Sequence, residues 1–279
     1  MSSAPTQPIL ALLAQPVAAN PMQFVVEKAL AHHNLDWRYL TLEVAAADLA
    51  DAVRGLKALG FHGATVAAPH GDTIGPLLDH LTETAALVGH VTMLLRDGSR
   101  LVGSNSEGAG VITSIKRISP LDGKRCLLLG ATGPARAVAA ELSAAQVAEI
   151  RVVDPVSEQS DALVQLLALK YPVAASAVAT ADKFVIPGDI DVIVHAAEID
   201  AKGFPSLDWS TLRAETLVVD LAGETPDVRL LREAAARGCK TIDKPSVMVE
   251  QIAIDFLAWT GIDPDRTILR EALDEFLGW

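Results

Sequence analysis

The feature that most constrains the fold is a regular alternation of short apolar runs with longer amphipathic segments along nearly the whole chain. The short runs are typical of buried strands, and the segments between them carry helical spacing. This alternation predicts an α/β fold with parallel sheets and helices on their faces. The predicted strands are Ile9–Leu13, Trp37–Leu42, Ala64–Ala67, Thr92–Arg96, Arg125–Leu129, Ile150–Val153, Val192–His195, Leu217–Asp220 and Lys240–Ile242. The predicted helices are Pro21–His33, Ala47–Leu59, Asp79–Val88, Val111–Lys116, Pro134–Ser143, Ser157–Leu169, Val228–Arg237, Gln251–Trp259 and Thr267–Leu277.

The strand–helix series is interrupted once, by the glycine-rich stretch Gly103–Gly110, which leads into a helix. A chain of 279 residues has room for two medium-sized domains. We therefore predict two α/β domains that meet near this stretch, followed by closing helices after residue 250. The cleft between two such domains is the expected place for a small ligand.

The charge balance and hydropathy exclude several kinds of partner. The formal net charge is −12, and no stretch supplies the basic footprint that a phosphate backbone or an anionic membrane requires. No apolar run reaches the length of a membrane span. Residues 1–8 are polar and contain proline, so we expect a short flexible arm and no signal peptide. A small molecule is the expected partner, bound by a monomer or homodimer.

The cysteines and histidines predict no metal site. Cys126 and Cys239 lack metal-ligand spacing and read as small buried hydrophobes, which suits a reducing cytoplasm. His32, His33 and His90 have no partner at such spacing either.

A glycine turn between a strand and a helix predicts a dinucleotide site. The predicted strand Arg125–Leu129 leads into Gly130, Ala131, Thr132 and Gly133, and a helix follows. Glycines allow a pyrophosphate to approach backbone N–H groups at a helix N-terminus. Thr132 and Pro134 depart from the strict pattern, since Thr132 narrows the approach and Pro134 has no N–H. The alternative is a helix entry that binds no nucleotide.

The next predicted strand ends at Asp154, a position that decides which nucleotide is preferred. An acidic residue there accepts hydrogen bonds from the ribose hydroxyls of NAD and repels the 2′-phosphate of NADP. No Arg or Lys lies in the next three residues. NAD is therefore predicted over NADP, the alternative role of Asp154 being that of a solvated strand-end carboxylate.

Several segments together resemble the shikimate dehydrogenase family over about residues 12 to 259. The stretch Gly103–Gly110 is similar to that family's Gly-x-Asn-Thr-Asp-Gly-x-Gly, and Gly130–Val138 resembles its nucleotide loop. Gln251–Gly261 resembles its C-terminal glutamine-containing helix. The resemblance implies a substrate-binding domain at 1–105, a Rossmann dinucleotide-binding domain at 106–250, and helices at 251–279 that pack back on the first domain. It also implies hydride transfer between a nicotinamide and a small hydroxy acid of cyclitol type.

Many substrate-handling positions of that family are altered in this chain. The proton-relaying lysine is replaced by Gly71, and its partner aspartate by Glu107. The Ser-x-Ser-Pro that holds the substrate carboxylate becomes Ala18 to Pro21, including Asn20. Two further substrate-facing asparagines are matched by Thr65 and Thr92, whereas Asn105 and Gln251 are unchanged. The motif Asn-Ala-Thr-Pro becomes His195 to Glu198.

These losses predict poor turnover of shikimate. A hydrogen bond to a charged group contributes about 1.5–3 kcal/mol, and a proton relay contributes about two to four powers of ten in rate. Glu107 or His70 could handle the proton instead; the alternatives are a helix-start carboxylate without catalytic duty and a structural histidine. Asp72 is expected to cap a helix from Thr73 onward. His195 lies at the ligand-binding face of the sheet, with a buried structural histidine as the alternative. The competing hypothesis for the whole chain is a catalytically silent relative that binds ligands.

Overall fold

The computed structural model describes residues 7–179, 183–197, 205–223 and 228–279. Most of the predicted N-terminal arm and Glu198 lie outside these residues. The described chain forms two compact units, one reaching Ser106 and including Val249–Trp279, the other comprising Glu107–Met248. None of the described helices is long and apolar enough to cross a membrane. The α/β fold expected from the alternation of strands and helices is confirmed.

Fourteen strands and nine α-helices are found in the described residues. The strands are β1 (Ile9–Ala14), β2 (Arg38–Glu43), β3 (Gly63–Val66), β4 (His80–Leu81), β5 (Met93–Asp97), β6 (Arg100–Ser104), β7 (Arg125–Leu129), β8 (Glu149–Val153), β9 (Ala174–Ala177), β10 (Lys183–Val185), β11 (Val192–His195), β12 (Ser206–Asp208), β13 (Leu217–Asp220) and β14 (Lys240–Ile242). The helices are α1 (Met22–His32), α2 (Leu49–Leu59), α3 (Glu83–Val88), α4 (Glu107–Lys116), α5 (Gly133–Ala144), α6 (Ser157–Lys170), α7 (Arg229–Ala235), α8 (Lys244–Thr260) and α9 (Arg266–Leu277).

The first unit is a six-stranded sheet in the order β2-β1-β3-β5-β6-β4. Strand β1 pairs in parallel with β2 and β3, whereas β5 runs antiparallel to both β3 and β6. The closing helix α8 packs on this sheet through Trp259, whose indole N–H donates to the Leu94 carbonyl at 3.0 Å. Gly63 makes that packing possible, because a Cβ there would lie 2.4 Å from the indole nitrogen.

The second unit is an all-parallel sheet in the order β14-β13-β11-β7-β8-β9. Counted from its first strand, this order is 3-2-1-4-5-6 read from the β9 edge, which is the Rossmann order. Neighbouring strands β7 and β11 lie where the winding direction reverses, and ligands of such sheets bind beyond the carboxyl ends of these strands. A separate pair, β10 and β12, stands outside this sheet.

Two local predictions were wrong, and one strand of the first unit was missed. The helix expected over Asp79–Val88 is the short strand β4 followed by α3, since Thr82 caps the helix by accepting from the Ala85 N–H. No helix begins at Thr73, so Asp72 does not act as a cap. Strand β6 was missed because Arg100–Ser104 has a weak strand pattern, and it forms as the returning arm of the hairpin at Gly98.

Candidate active site

The first unit gathers buried hydroxyl and amide groups at the ends of β3, β5 and β6. Thr65, Thr92 and Asn105 are each less than a tenth exposed. The Tyr39 hydroxyl donates to Thr65 Oγ1 at 2.8 Å. Thr92 Oγ1 accepts the Ser106 N–H at 2.9 Å and lies 3.2 Å from the Ser106 hydroxyl. The Asn105 side-chain amide donates to the His90 carbonyl at 3.1 Å. The fold thus draws together three predicted substrate-binding positions and links each of them to an internal partner.

Asp255 lies beneath this group and was missed by the sequence analysis. It stands one helical turn after Gln251 on α8, so the two side chains share a face of that helix. Burial raises the pKa of the Asp255 carboxyl to about 8, and a side-chain hydrogen bond with Ser106 opposes this rise. That bond is poorly aligned, because neither carboxyl oxygen has a partner of good geometry among the described residues. An acid inside an otherwise apolar helical stretch was the signal that could have revealed it.

Burial also raises the pKa of the neighbouring Tyr39 hydroxyl. Its hydrogen bond to Thr65 lowers that pKa, while the negative charge that Asp255 acquires when it ionises raises it further. The site therefore contains two acidic groups that remain protonated at neutral pH and can donate hydrogen bonds.

The side chain of Asn20 makes a hydrogen bond with the backbone at the start of α1. Its Oδ1 accepts the Met22 N–H at 3.0 Å. The preceding residues Ala18 and Ala19 are exposed and carry no polar side-chain atom.

The second unit builds the glycine turn as a close contact between β7 and the residues after β11. Gly130 has φ +114°, and a Cβ there would lie 2.8 Å from the Ala197 nitrogen. Only glycine fits this conformation and this separation. Thr132 is the residue before α5, and its side chain makes no capping hydrogen bond. The helix therefore begins at Gly133 with its first N–H groups uncapped by Thr132, an arrangement suited to an anionic ligand.

Asp154 ties the glycine turn to the end of the neighbouring strand β8. Its two carboxylate oxygens accept the Ala131 N–H at 2.8 Å and the Val156 N–H at 2.9 Å. Asp154 is only 8% exposed, so it is not a solvated carboxylate at the end of a strand. Each oxygen retains a further lone pair with which to accept a ribose hydroxyl.

Residues 12–94 match the family model described as the shikimate dehydrogenase substrate binding domain. The shikimate dehydrogenase (NADP(+)) of Bacillus licheniformis is 30% identical over 278 residues, which are 98% of each chain. This chain belongs to the shikimate dehydrogenase family. The shikimate dehydrogenase (NADP(+)) of Geobacter metallireducens is 31% identical over 270 residues, 94% of each chain. The ligand-free crystal structure of 5-ketofructose reductase of Gluconobacter sp. strain CHM43 has a TM-score of 0.91 at 32% identity, covering 98% of this chain and 99% of that one.

Gly71, which the resemblance places where the family has its lysine, is buried, and the neighbouring His70 is a core residue. His70 is fully buried, with Nε2 2.9 Å from the Val44 carbonyl oxygen. Since a carbonyl only accepts, Nε2 carries the hydrogen. Its Nδ1 is buried and has no hydrogen-bond partner among the described residues. This placement favours the structural role of His70 over the catalytic one.

Glu107, predicted to match the family's aspartate, is the first residue of α4 and is half-buried. The next residue, Gly108, lets α4 and α5 pack closely, because a Cβ there would lie 2.4 Å from the Ala137 carbonyl oxygen. The glycine of the motif is therefore required by helix packing.

His195 also has a structural partner at the dinucleotide edge. Its Nδ1 lies 2.9 Å from Asp220 Oδ1, and the two residues face each other in the register of β11 and β13. Among the described residues, no group of three or more His, Cys, Asp or Glu side chains could hold a metal ion.

Proposed function

We propose that this chain is a nicotinamide-dependent oxidoreductase that moves hydride to or from a hydroxyl-bearing carbon of a small polyhydroxylated substrate. The observation that carries the proposal is Gly130, whose φ of +114° opens the turn at the point where the Rossmann sheet reverses its winding. Membership of the shikimate dehydrogenase family supports the same reaction class. The bound nicotinamide would supply or accept the hydride.

The predicted domain roles form part of this proposal. Residues 1–105 would bind the substrate, residues 106–250 the dinucleotide, and helices in 251–279 would complete the substrate domain with Gln251. The hydroxyl and amide groups of Thr65, Thr92 and Asn105 suit a substrate that carries several hydroxyls. Glu107 remains a predicted proton-handling group.

The resemblance implied a hydroxy acid, but the described residues favour a substrate that needs no carboxylate. Ala18 and Ala19 offer no hydroxyl at the positions where the family binds the substrate carboxylate. The Asn20 side-chain oxygen already accepts a backbone N–H. Gly71 supplies no ammonium group. The similarity to a 5-ketofructose reductase, which is named for a neutral sugar, supports a neutral polyhydroxy ketone or its alcohol.

Steady-state assays with the purified chain test this proposal. We expect oxidation of NADH or NADPH with 5-ketofructose, and a kcat/KM for shikimate and quinate lower by about two or more powers of ten, given the lost hydrogen bonds. Brisk turnover of shikimate would contradict the substrate class. An absence of cofactor binding in a fluorescence titration with NADH and NADPH would contradict the oxidoreductase itself.

The competing proposal, a silent ligand-binding relative, is favoured by one observation, the absence of an ammonium side chain at Gly71. In that case the dinucleotide and a small polyol would bind without turnover in either direction. The same titrations, followed by single-turnover mixing of the ternary complex, separate the two proposals.

We further propose that NAD(H) is preferred over NADP(H), although the two shikimate dehydrogenases named above are described as NADP(+) enzymes. Asp154 stands at the position that contacts the adenine ribose in this fold. No cation follows it before Glu158. The nearby Arg151 is held by Glu149 at 2.9 Å and by Asp189 at 2.8 Å.

Val156→Arg is expected to improve the use of NADPH. Val156 is 46% exposed and is the residue before α6, so an arginine there can reach a 2′-phosphate without disturbing the Asp154 hydrogen bonds. One charged hydrogen bond contributes about 1.5–3 kcal/mol, so kcat/KM with NADPH should rise about tenfold or more. The kcat/KM with NADH should stay within about threefold of the wild type. Leu169→Arg adds the same charge at the far, exposed end of α6 and should leave the cofactor ratio unchanged.

A further inference from the structure

The space in front of Gly71 is filled by the imidazole ring of His90. An ideal Cβ on Gly71 would lie 2.3 Å from His90 Cε1 and 2.8 Å from each ring nitrogen. The ring therefore lies in the direction that any side chain at position 71 would take. A lysine at position 71 would require this ring to move. The glycine at 71 and the position of the His90 ring therefore depend on each other.

Backbone contacts fix His90 in this position. Gly89 ends α3 in the left-handed conformation, with φ +64°. The Val91 N–H donates to the Gly71 carbonyl at 2.9 Å, which joins the two segments beside the ring. The side-chain amide of Asn105 donates to the His90 carbonyl at 3.1 Å. A residue predicted to bind substrate is thus directly bonded to the histidine backbone.

Asp72 orients the ring. Its Oδ1 lies 2.7 Å from His90 Nδ1. A carboxylate only accepts, so Nδ1 donates and Nε2 is the nitrogen that can exchange a proton. The His90 side chain is 16% exposed and the Asp72 side chain 56%. A histidine held by a carboxylate is an acid–base arrangement, because the carboxylate selects the tautomer of the ring.

We propose that His90, oriented by Asp72, relays the substrate proton that the family's lysine relays in other members. The inference rests on the oxidoreductase function proposed above. As the substrate carbonyl gains hydride at carbon, its π electron pair moves to oxygen. The imidazolium Nε2–H bond breaks, an O–H bond forms, and a neutral imidazole remains. A proton from the solvent then binds Nε2 and restores the starting form of the ring, so one solvent proton is consumed per carbonyl reduced. Alcohol oxidation runs through the same steps in reverse and releases that proton.

His90→Ala is the first test, in assays of the purified chain with NADH and the best substrate found for it. We expect kcat to fall about 10²- to 10⁴-fold, as for loss of a proton relay. The affinity for NADH, measured by fluorescence titration, should stay within about threefold. Added imidazole should enter the space left above Gly71 and raise the kcat of His90→Ala at least tenfold. His80→Ala, which removes an exposed histidine from β4, should behave as the wild type.

Two further variants separate a catalytic ring from one that only packs. Asp72→Asn should lower kcat about tenfold or more, because an amide can donate to Nδ1 and so favour the wrong tautomer. The pair Gly71→Lys with His90→Ala removes the ring and returns an ammonium group. The kcat of this double variant should be at least tenfold higher than that of His90→Ala alone. Gly71→Lys alone should have a lower free energy of unfolding than the wild type, because the lysine and the ring then compete for the same space.

The outcomes distinguish this inference from the proposed function. A wild-type chain that binds NADH but turns over no substrate would overturn the proposed function and the relay together. A wild-type chain that turns over substrate, with His90→Ala within threefold of its kcat, would overturn the relay alone. So would a slow His90→Ala that neither imidazole nor the added lysine accelerates, since the ring would then only support the fold.

Discussion

Gly108→Ala is expected to destabilise the second unit by about 2–3 kcal/mol, although alanine is the better helix former. The new methyl group would lie 2.4 Å from the Ala137 carbonyl oxygen and 2.7 Å from its carbon. Both are backbone atoms of α5, so the helices would have to separate. The measurement is chemical denaturation followed by far-UV circular dichroism, fitted with a transition for each unit because two-state behaviour is not assumed.

Gly55→Ala is the matched control, since Gly55 also lies inside a helix, α2. A Cβ on Gly55 meets no atom within 4 Å. The free energy of unfolding should therefore rise by about 0.5–1 kcal/mol, because alanine lowers the entropy of the unfolded chain. The two substitutions have opposite expected signs. If both alanines stabilised the protein, the close approach of α4 and α5 would be contradicted.

Asp255→Asn is expected to stabilise the protein at pH 8 by on the order of 2–4 kcal/mol and to have little effect near pH 4. The pKa of the Asp255 carboxyl is about 8 in the folded protein, against a usual value of 3.8. Between these values the folded chain keeps a proton that the unfolded chain releases. Stability from this group is thus complete below about pH 4 and is lost as the pH rises through about 8. Asparagine has no proton to lose.

The measurement is the free energy of unfolding of both proteins from pH 4 to pH 8.5. Asp48→Asn is the control, because Asp48 is exposed and lies in the same unit before α2. It should change stability by less than about 0.5 kcal/mol at any pH. A difference between wild type and Asp255→Asn that does not grow with pH would show that the buried carboxyl is not protonated at neutral pH.

The glycine turn illustrates what could be predicted for the candidate site. A strand, Gly130 and a helix start are neighbours in the sequence, and the turn depends on the φ angle of one residue. The same holds for Gly60, predicted to end α2 and found there at φ +76°. By contrast, the role of Asp154 involves Ala131, twenty-three positions earlier. Its strand-end position was visible in the sequence, whereas its hydrogen bonds to the glycine turn were not.

Some strands could not be predicted, because their own sequences have no strand pattern. The sequence Ala174–Ala177 of β9 contains only alanine and serine, residues with no preference for strands. It is a strand because β8 offers it a parallel edge with the register Glu149↔Ala174. By contrast, β7 and β13 could be predicted from their own sequences, because strands that are buried on both faces consist of apolar runs.

The sequence by itself determined the α/β class, the principal helices and strands of each unit, and the absence of a side chain at Gly71, since these follow from local periodicity and from residue identity. Only the tertiary structure decided that the His90 ring stands over Gly71, and that Asp255 is buried beside Ser106. These pairs are separated by 19 and 149 positions, counted as 90 − 71 and 255 − 106. Local sequence patterns carry no information on such distances, because side chains so far apart meet only through the packing of the strands and helices between them.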